Sequence, residues 1–309
     1  LRGVITLTCI AINITVSAIL TMIFALIARA IPWKPWRHYG LVIAQKFPVY
    51  WMDINTLIMR IAMGRNFKVE GNANLTTKGW YVLLSNHRSW LDILVLGIAF
   101  NRKIPMLKFF MKQELLWTLP IAGLACYLLD FPFMKRHTRE DIKKHPELRN
   151  QDIETAKKSC QKFKLHPTTV MNFVEGTRFS QSKHDRQSSP YQHLLKPKSA
   201  GIAVVFQQLH DILDGTLDTT IHYEAEKLDL WSFACGNIAN ITVRYDLLPV
   251  TDDLVGDYYE DRDYRKHLQA WLNQVWERKD KTYQDLIDEC TTSHRNTQEP
   301  TRSVASESH

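Results

Sequence analysis

The sequence holds little from which to build a covalent or metal framework. Among its 309 residues are only five cysteines: Cys9, Cys126, Cys160, Cys235 and Cys290. They are odd in number, far apart and never in a C-x-x-C pair, which excludes a disulfide scaffold and a zinc module and suits a reducing compartment. The twelve histidines are scattered, and none forms the H-E-x-x-H pattern of a helical zinc protease. No stretch of the chain repeats another. Acidic residues are in deficit, 32 against 39 Lys and Arg, for a net charge of +7. That surplus suits anionic lipid headgroups or nucleic acid, and it is also ordinary among soluble proteins. With 45% apolar residues the bulk of the chain is expected to fold in water.

Charge is missing altogether from Gly3 to Ala28. As a helix this run measures about 39 Å at roughly 1.5 Å per residue, enough to cross a hydrocarbon core of roughly 30 Å with some tilt. Thr6, Asn13, Thr15, Ser17 and Thr21 are tolerable there, because short polar side chains bond within the helix or to a neighbour. A cleaved signal peptide is the rival reading, with Ala28-Arg29-Ala30 as its cleavage site. The run exceeds an h-region of roughly 7–15 residues, however, and only Arg2 precedes it. Arg29, Lys34, Arg37 and Lys46 follow it, with Trp33 and Trp36 at the level of an interfacial aromatic belt. Residues 1–31 therefore read as a single-pass anchor in a membrane bilayer, with the remainder cytoplasmic; in a bacterium the membrane would be the inner one.

Residues 32–66 read as an interfacial or helical linker. Phe47 to Met63 is apolar but carries Asp53, Asn55 and Arg60, which fits either an interfacial or a core helix. From residue 67 strand-like and helix-like runs alternate. Phe67–Glu70, Tyr81–Leu84, Ile104–Phe109, Cys126–Leu129 and Thr168–Val174 are expected strands. Ile241–Tyr245 is a further one, with one wet face. Leu115–Leu129, with Pro120 and Gly123, is too short to span a bilayer and is expected to be buried core. Glu140–Phe163 is expected to be mostly helical, interrupted at Pro146, and Gln181–Ser189 is an expected surface loop. Alternation of this kind predicts an α/β domain over residues 67–250, a largely parallel sheet flanked by helices. Residues 251–290 are expected as a helical extension, amphipathic over Arg262–Asp288 through Leu268, Trp271, Leu272 and Val275. Residues 291–309 are polar and small and read as a disordered tail.

Two short segments carry the chemistry. Asn86-His87-Arg88-Ser89-Trp90-Leu91-Asp92 lies at a strand-to-helix junction, where open α/β sheets hold ligands. With His87 in the loop and Asp92 in the first helical turn, Asp92 can accept the Nδ1 proton and leave Nε2 as a base. The bland alternative is a capping box between Ser89 and Asp92 beside an ordinary loop histidine. Phe173-Val174-Glu175-Gly176-Thr177-Arg178 again ends an apolar run. Gly176 allows close backbone approach, and Arg178 offers a planar fork for phosphate oxygens. Glu175 either holds Arg178 or bonds an acceptor hydroxyl; a plain surface ion pair is the alternative. Lys135-Arg136 and Lys196-Pro197-Lys198 are candidate extensions of a phosphate-binding surface, or only solvated charge.

Together these segments resemble the glycerolipid acyltransferases, specifically the 1-acyl-glycerol-3-phosphate (lysophosphatidic acid) acyltransferase superfamily. N-H-R-S-W-L-D at 86–92 is similar to its first motif. Lys112, Pro120 and Gly123 followed by F-P-F-M-K-R at 131–136 are similar to its second, and E-G-T-R at 175–178 to its third. The resemblance covers roughly residues 65–250. The usual fourth motif, an apolar strand ending in Pro, has no clear counterpart; Asp218–Tyr223 is closer to the variant of a long-form branch. The resemblance implies His87 as general base with Asp92 as its partner. It implies Glu175, Gly176, Thr177, Arg178 and Arg136 as substrate-binding residues. The implied donor is acyl-CoA or acyl-carrier protein, the implied acceptor a lysophospholipid, and no metal, cofactor or nucleic acid is implied. Glycerol 3-phosphate as acceptor, or a non-catalytic anionic-lipid-binding protein, are the alternatives.

Overall fold

The structure, a computed structural model, describes residues 1–64, 66–135, 147–225 and 227–298. Three helices lead the chain: α1 (Arg2–Ala30), α2 (Lys34–Ala44) and α3 (Lys46–Met63). Strands β1 (Phe67–Glu70) and β2 (Tyr81–Ser85), helix α4 (Leu91–Phe100), and strands β3 (Leu107–Phe109) and β4 (Met111–Lys112) follow. Next come α5 (Leu115–Thr118), α6 (Pro120–Leu128), β5 (Phe133–Met134), α7 (Glu147–Phe163) and β6 (Thr169–Asn172). The chain continues with α8 (Gln181–Gln187), α9 (Ala200–Leu209), β7 (Gly215–Glu224), α10 (Leu230–Cys235), β8 (Asn240–Leu248) and α11 (Arg262–Gln298).

Six strands form one sheet in the order β1-β8-β7-β2-β6-β3. Every pairing is parallel except β7 with β8. This is the mixed, mostly parallel sheet between helices that the alternation predicts. Strands β2 and β6 are central and covered on both faces, so they read as unbroken apolar runs. On one face Leu83, Met171, Ile221 and Val243 pack with Leu91, Val95 and Leu96 of α4 and with Met59 and Ala62 of α3. On the other, Val82, Leu84 and Val170 pack with Phe163, Val205 and Phe206, and with Leu268, Leu272, Val275 and Trp276 of α11. Each fully buried Leu contributes about 1.5–3 kcal/mol over exposure. Helix α11 is thus a structural half of the second core, and it runs on through Thr291–Gln298, where a disordered tail was expected. Residues 299–309 lie outside the described residues.

Among the described residues α1 alone is long and apolar enough to cross a membrane. Several of its polar groups find partners: Asn13 donates to Asn55 Oδ1 (3.0 Å) and the Trp51 carbonyl (3.1 Å), and Ser17 to the Phe47 carbonyl (3.1 Å), while the buried Thr21 hydroxyl has none among the described residues. Both ends are fastened. Arg2 donates to the Ala62 carbonyl, and Arg29 donates to the Leu128 carbonyl at 2.8 Å beside Asp130. Ile12, Val16, Ile23 and Leu26 of α1 remain exposed, as do Ile54, Leu57 and Ile61 of α3.

Several local expectations are corrected. Cys126–Leu129 is not a strand; Cys126–Leu128 closes α6, a helix opened by Pro120 in its first turn, because a short apolar run does not distinguish the two. Leu115–Leu129 is buried core only in part: Leu128 and Leu129 pack with Ala25 and Ala44, whereas Trp117 is 77% exposed and Leu119, Ile121 and Tyr127 also face outward. Gly123 lets α5 and α6 fold tightly on each other, since a Cβ there would lie 2.7 Å from the Leu115 carbonyl oxygen. Gln181–Gln187 is a helix rather than a loop, supported by a Gln181–Asp185 hydrogen bond of 2.8 Å and stopped by Ser188 at φ 46°. The wet face expected for Ile241–Tyr245 is reduced: Thr242 is buried, and Arg244 is half-buried between Glu70 and Glu289. The strand within Ile104–Phe109 begins only at Leu107, and the helix within Glu140–Phe163 is described from Glu147.

Candidate active site

The site begins where β2 stops. Beyond Ser85, the buried side chain of Asn86 replaces the ladder: it donates to the Ile221 carbonyl (2.9 Å) and accepts from the Ile221 amide (2.8 Å). The main chain is thereby pinned to β7 while it turns out of the sheet, and His87 is presented at the carboxyl ends of the strands. The His87 ring stacks on Phe173 with centroids 4.0 Å apart. Its Nδ1 lies 2.7 Å from Asp92 Oδ2, while Nε2 has no hydrogen-bond partner among the described residues.

Asp92 is fully buried and held by four donors. Oδ2 accepts from His87 Nδ1, the Arg88 amide (2.6 Å) and the Ser89 amide (3.0 Å); Oδ1 accepts from the Tyr223 hydroxyl (2.7 Å). Capping and orientation of the imidazole are thus performed by the same carboxylate. Two backbone amides fix it before any substrate arrives. Burial, and then the Asp92 charge, push the Tyr223 phenol well above its ordinary pKa, so it remains a proton donor at any physiological pH.

The second segment leaves β6 and returns to the first. Gly176 adopts φ +71°, in the region that favours glycine, and its amide closes a turn onto the Phe173 carbonyl at 2.8 Å. The Phe179 amide donates to the His87 carbonyl at 2.7 Å, which ties the two loops together. Arg178 is exposed, and its guanidinium lies 4.9 Å from the centroid of Trp90, itself exposed. Of the two sequence alternatives for Glu175, pairing with Arg178 does not occur, because Glu175 is 1% exposed and points inward. Neither of its oxygens has a hydrogen-bond partner; the amides of His87 and Leu195 are near enough to favour its ionised form but outside bonding geometry. Burial pushes this carboxyl up to about 8, against the nearby charges of Arg88 and Lys279.

Three cations surround the E-G-T-R turn. Besides Arg178 there is Lys183, whose Nζ donates to Thr177 Oγ1 and to the Arg178 carbonyl, both at 2.9 Å. Lys198 Nζ would lie 3.2 Å from a Cβ on Gly176. Lys112 and Lys135 lie on or beside the small β4–β5 sheet and are exposed; Arg136 lies outside the described residues. Among the described residues no group of three His, Cys, Asp or Glu side chains is placed to hold a metal.

Asn86 and Tyr223 stood inside segments singled out in the sequence but without a role of their own, and the sequence did not point to Lys183 or Lys279 as site residues. Lys183 was hidden by reading its polar helix as a loop. Tyr223 and Lys279 are brought in by β7 and α11, and no local spacing announces that.

Comparison with known proteins follows the same geometry. A family model described as acyltransferase matches residues 66–222. The mouse 1-acyl-sn-glycerol-3-phosphate acyltransferase epsilon is 21% identical over 237 residues, 70% of this chain and 60% of that protein. The mouse delta form is 25% identical over 217 residues, 64% of this chain and 51% of that protein, so this chain spans less than two thirds of either relative. A 1-acyl-sn-glycerol-3-phosphate acyltransferase of Saccharomyces cerevisiae is 30% identical over 121 residues, 39% of this chain and 35% of its own length. The crystal structure of the 1-acyl-sn-glycerophosphate acyltransferase PlsC from Thermotoga maritima has a similar fold, with a TM-score of 0.50 at 16% identity over 93% of this chain and 98% of that one.

Proposed function

This chain belongs to the acyltransferase family, within the 1-acyl-glycerol-3-phosphate acyltransferase superfamily, and on that footing we propose that it acylates the free sn-2 hydroxyl of a lysophosphatidic acid from an acyl thioester. The observation that carries the reading is the His87–Asp92 pair, with Nδ1 held at 2.7 Å by a four-donor carboxylate and Nε2 unbonded. Nε2 takes the hydroxyl proton as the oxygen attacks the thioester carbonyl. The carbon–sulfur bond breaks, and the imidazolium returns the proton to the leaving thiolate. Asp92 holds the tautomer and stabilises the transient positive ring. The acceptor is itself the nucleophile, so no acyl-enzyme is required. Base catalysis supplies about 10²–10⁴-fold, and alignment of two bound substrates the larger remainder.

Arg178, with Lys183 and Lys198 beside it, is the proposed seat of the acceptor phosphate, and the exposed apolar faces of α1 and α3 are the proposed attachment to the bilayer. A lipid-binding scaffold would need the cations and those faces but not the buried dyad. The decisive measurement is acyl transfer by the purified chain in lipid vesicles. His87→Ala should lose about 10²–10⁴ in rate while remaining folded and membrane-bound; a folded His87→Ala protein with wild-type activity would move the base elsewhere. Arg178→Lys keeps the charge but loses the fork, and should raise KM for the lysophospholipid with little change in the donor KM. A parallel rise of both constants would remove Arg178 from the phosphate site.

A further inference from the structure

Helix α11 delivers one charged side chain to the interior. Lys279 is 1% exposed, and its Nζ reaches the end of β2 and the middle of the neighbouring strand β7. It donates to the Thr219 carbonyl of β7 at 2.6 Å and lies 3.5 Å from the Leu84 carbonyl of β2. It forms an ion pair with Asp218 and lies 5.1 Å from the Trp276 ring centroid. Leu84 precedes His87 by three residues, and Thr219 is registered with Ser85. The next residue, Asp280, accepts the amides of Gln192 and His193 at 2.7 and 2.8 Å. One turn on, Tyr283 stacks on His193 and faces Arg88, whose guanidinium also donates to the His193 carbonyl. One turn of a helix outside residues 66–222 therefore grips the floor and one wall of the site.

We propose that Lys279 is a positioning residue of the acyl transfer: its ammonium ties the end of β2 to the neighbouring strand β7, three residues before His87. This rests on the acyltransferase reading above. Two partners make the case. The Thr219 and Leu84 carbonyls of two neighbouring strands converge on one buried ammonium that crosses from α11. Glu175 lies near the same ammonium: Arg88 most strongly, then the His87 and Leu195 amides and last Lys279, favour its ionised form against burial. Tyr283 also faces it, and Lys279 in turn faces Asp218 and Asp246.

A docking role alone is separable from this one. Lys279→Met leaves Asp218 buried without its partner and should lower Tm. The double variant Lys279→Met with Asp218→Leu removes the pair, an exchange for apolar groups that is often neutral or stabilising. The expected result is that Tm recovers in the double variant while kcat stays about 10²-fold below wild type, the cost of roughly 1 Å of misplacement, with the lysophospholipid KM unchanged. Recovery of kcat together with Tm overturns the proposal. An arm independent of activity reads Glu175 directly, by carbon-13 NMR of its carboxyl. Its titration should move to higher pH in the double variant, and an unmoved titration overturns the proposal whether or not the wild type transfers acyl groups. Should neither variant fold, the wild-type Lys279 ε-carbon must shift as Glu175 titrates; a signal indifferent to it overturns the proposal equally. Absence of transfer by the wild type sinks the acyltransferase reading and leaves these two titrations to decide where the ammonium sits.

Discussion

Two buried carboxyls flank His87, and they are provisioned in opposite ways. Asp92, at the end of the β2 loop, has four hydrogen-bond donors, three of them from His87, Arg88 and Ser89 in its own segment. Glu175, at the end of the β6 turn, is as deeply buried and has none among the described residues. The charge of Asp92 is built in locally by the turn that forms the helix start. The charge of Glu175 depends on Arg88 and on Lys279, which lies more than a hundred positions further along the chain. A buried charge that is hydrogen-bonded is a fixed electrostatic element, whereas one that is not is a group whose ionisation the surrounding fold decides.

The largest break in that comparison comes from Asp92→Asn. Two backbone amides require an acceptor at the Oδ2 position, so the asparagine carbonyl should settle there and still receive Nδ1–H. The helix cap survives as well, since asparagine caps helices. What disappears is the negative charge opposite the imidazolium. We expect kcat to fall by about 10²-fold or more with the fold intact, a loss within the range of general-base catalysis. The loss should be non-additive with that of His87→Ala, because the pair acts as one unit. Near-normal turnover would show that Asp92 only caps the helix.

Glu175→Gln sharpens the other side, through stability rather than rate. The carboxyl of Glu175 ordinarily titrates at 4.5 and burial raises it to about 8 in the folded chain. Below about pH 4.5 the acid is neutral in both states, so Gln and Glu should be equally stable. Between these values the unfolded chain ionises and the folded one does not, which costs the wild type stability as pH rises. Glu175→Gln should therefore raise Tm, with a gain that grows above pH 4.5 and levels off above pH 8. A gain independent of pH, or a loss, would mean that Glu175 carries its charge in comfort and that its two sides of the comparison are alike.

The same contrast explains what could be read in the sequence. His87 and Asp92 are five positions apart at a strand end, and their relation is local, so the spacing conveyed it. The mostly parallel sheet was legible because β2 and β6 are central strands with unbroken apolar runs. Polar character misled at Gln181–Gln187, where tertiary bonds from Lys183 to Thr177 and Arg178 hold a helix that composition alone does not favour. Apolar character misled in part at Leu115–Leu129, where Leu128 and Leu129 are buried beside α1 but Trp117, Leu119, Ile121 and Tyr127 face outward. Glu175 was visible as a residue but not as a buried one, because the helix that covers it joins the fold from beyond residue 260. Tyr223 closes the Asp218–Tyr223 segment, but its bond to Asp92 crosses 131 positions, and the contacts of Lys279 have neither period nor motif in the chain.

The smallest expected effect probes how far the provision of Asp92 is redundant. Among the described residues Tyr223 is its one donor from outside the loop, and its one donor on Oδ1. Tyr223→Phe removes that bond and leaves a buried carboxylate oxygen unpaired. Loss of a hydrogen bond to a charged group costs about 1.5–3 kcal/mol of stability, measurable by denaturant titration. Turnover should suffer less, by under about tenfold, because the three bonds on Oδ2 still fix the carboxylate and the His87 tautomer. The stability cost should shrink in an Asp92→Asn background, where no charge remains to be left unpaired, and the coupling in that double-mutant cycle measures the bond itself. A rate loss for Tyr223→Phe as large as that of Asp92→Asn would show instead that the phenol acts on the reacting groups, and that the local turn is not sufficient to hold the dyad.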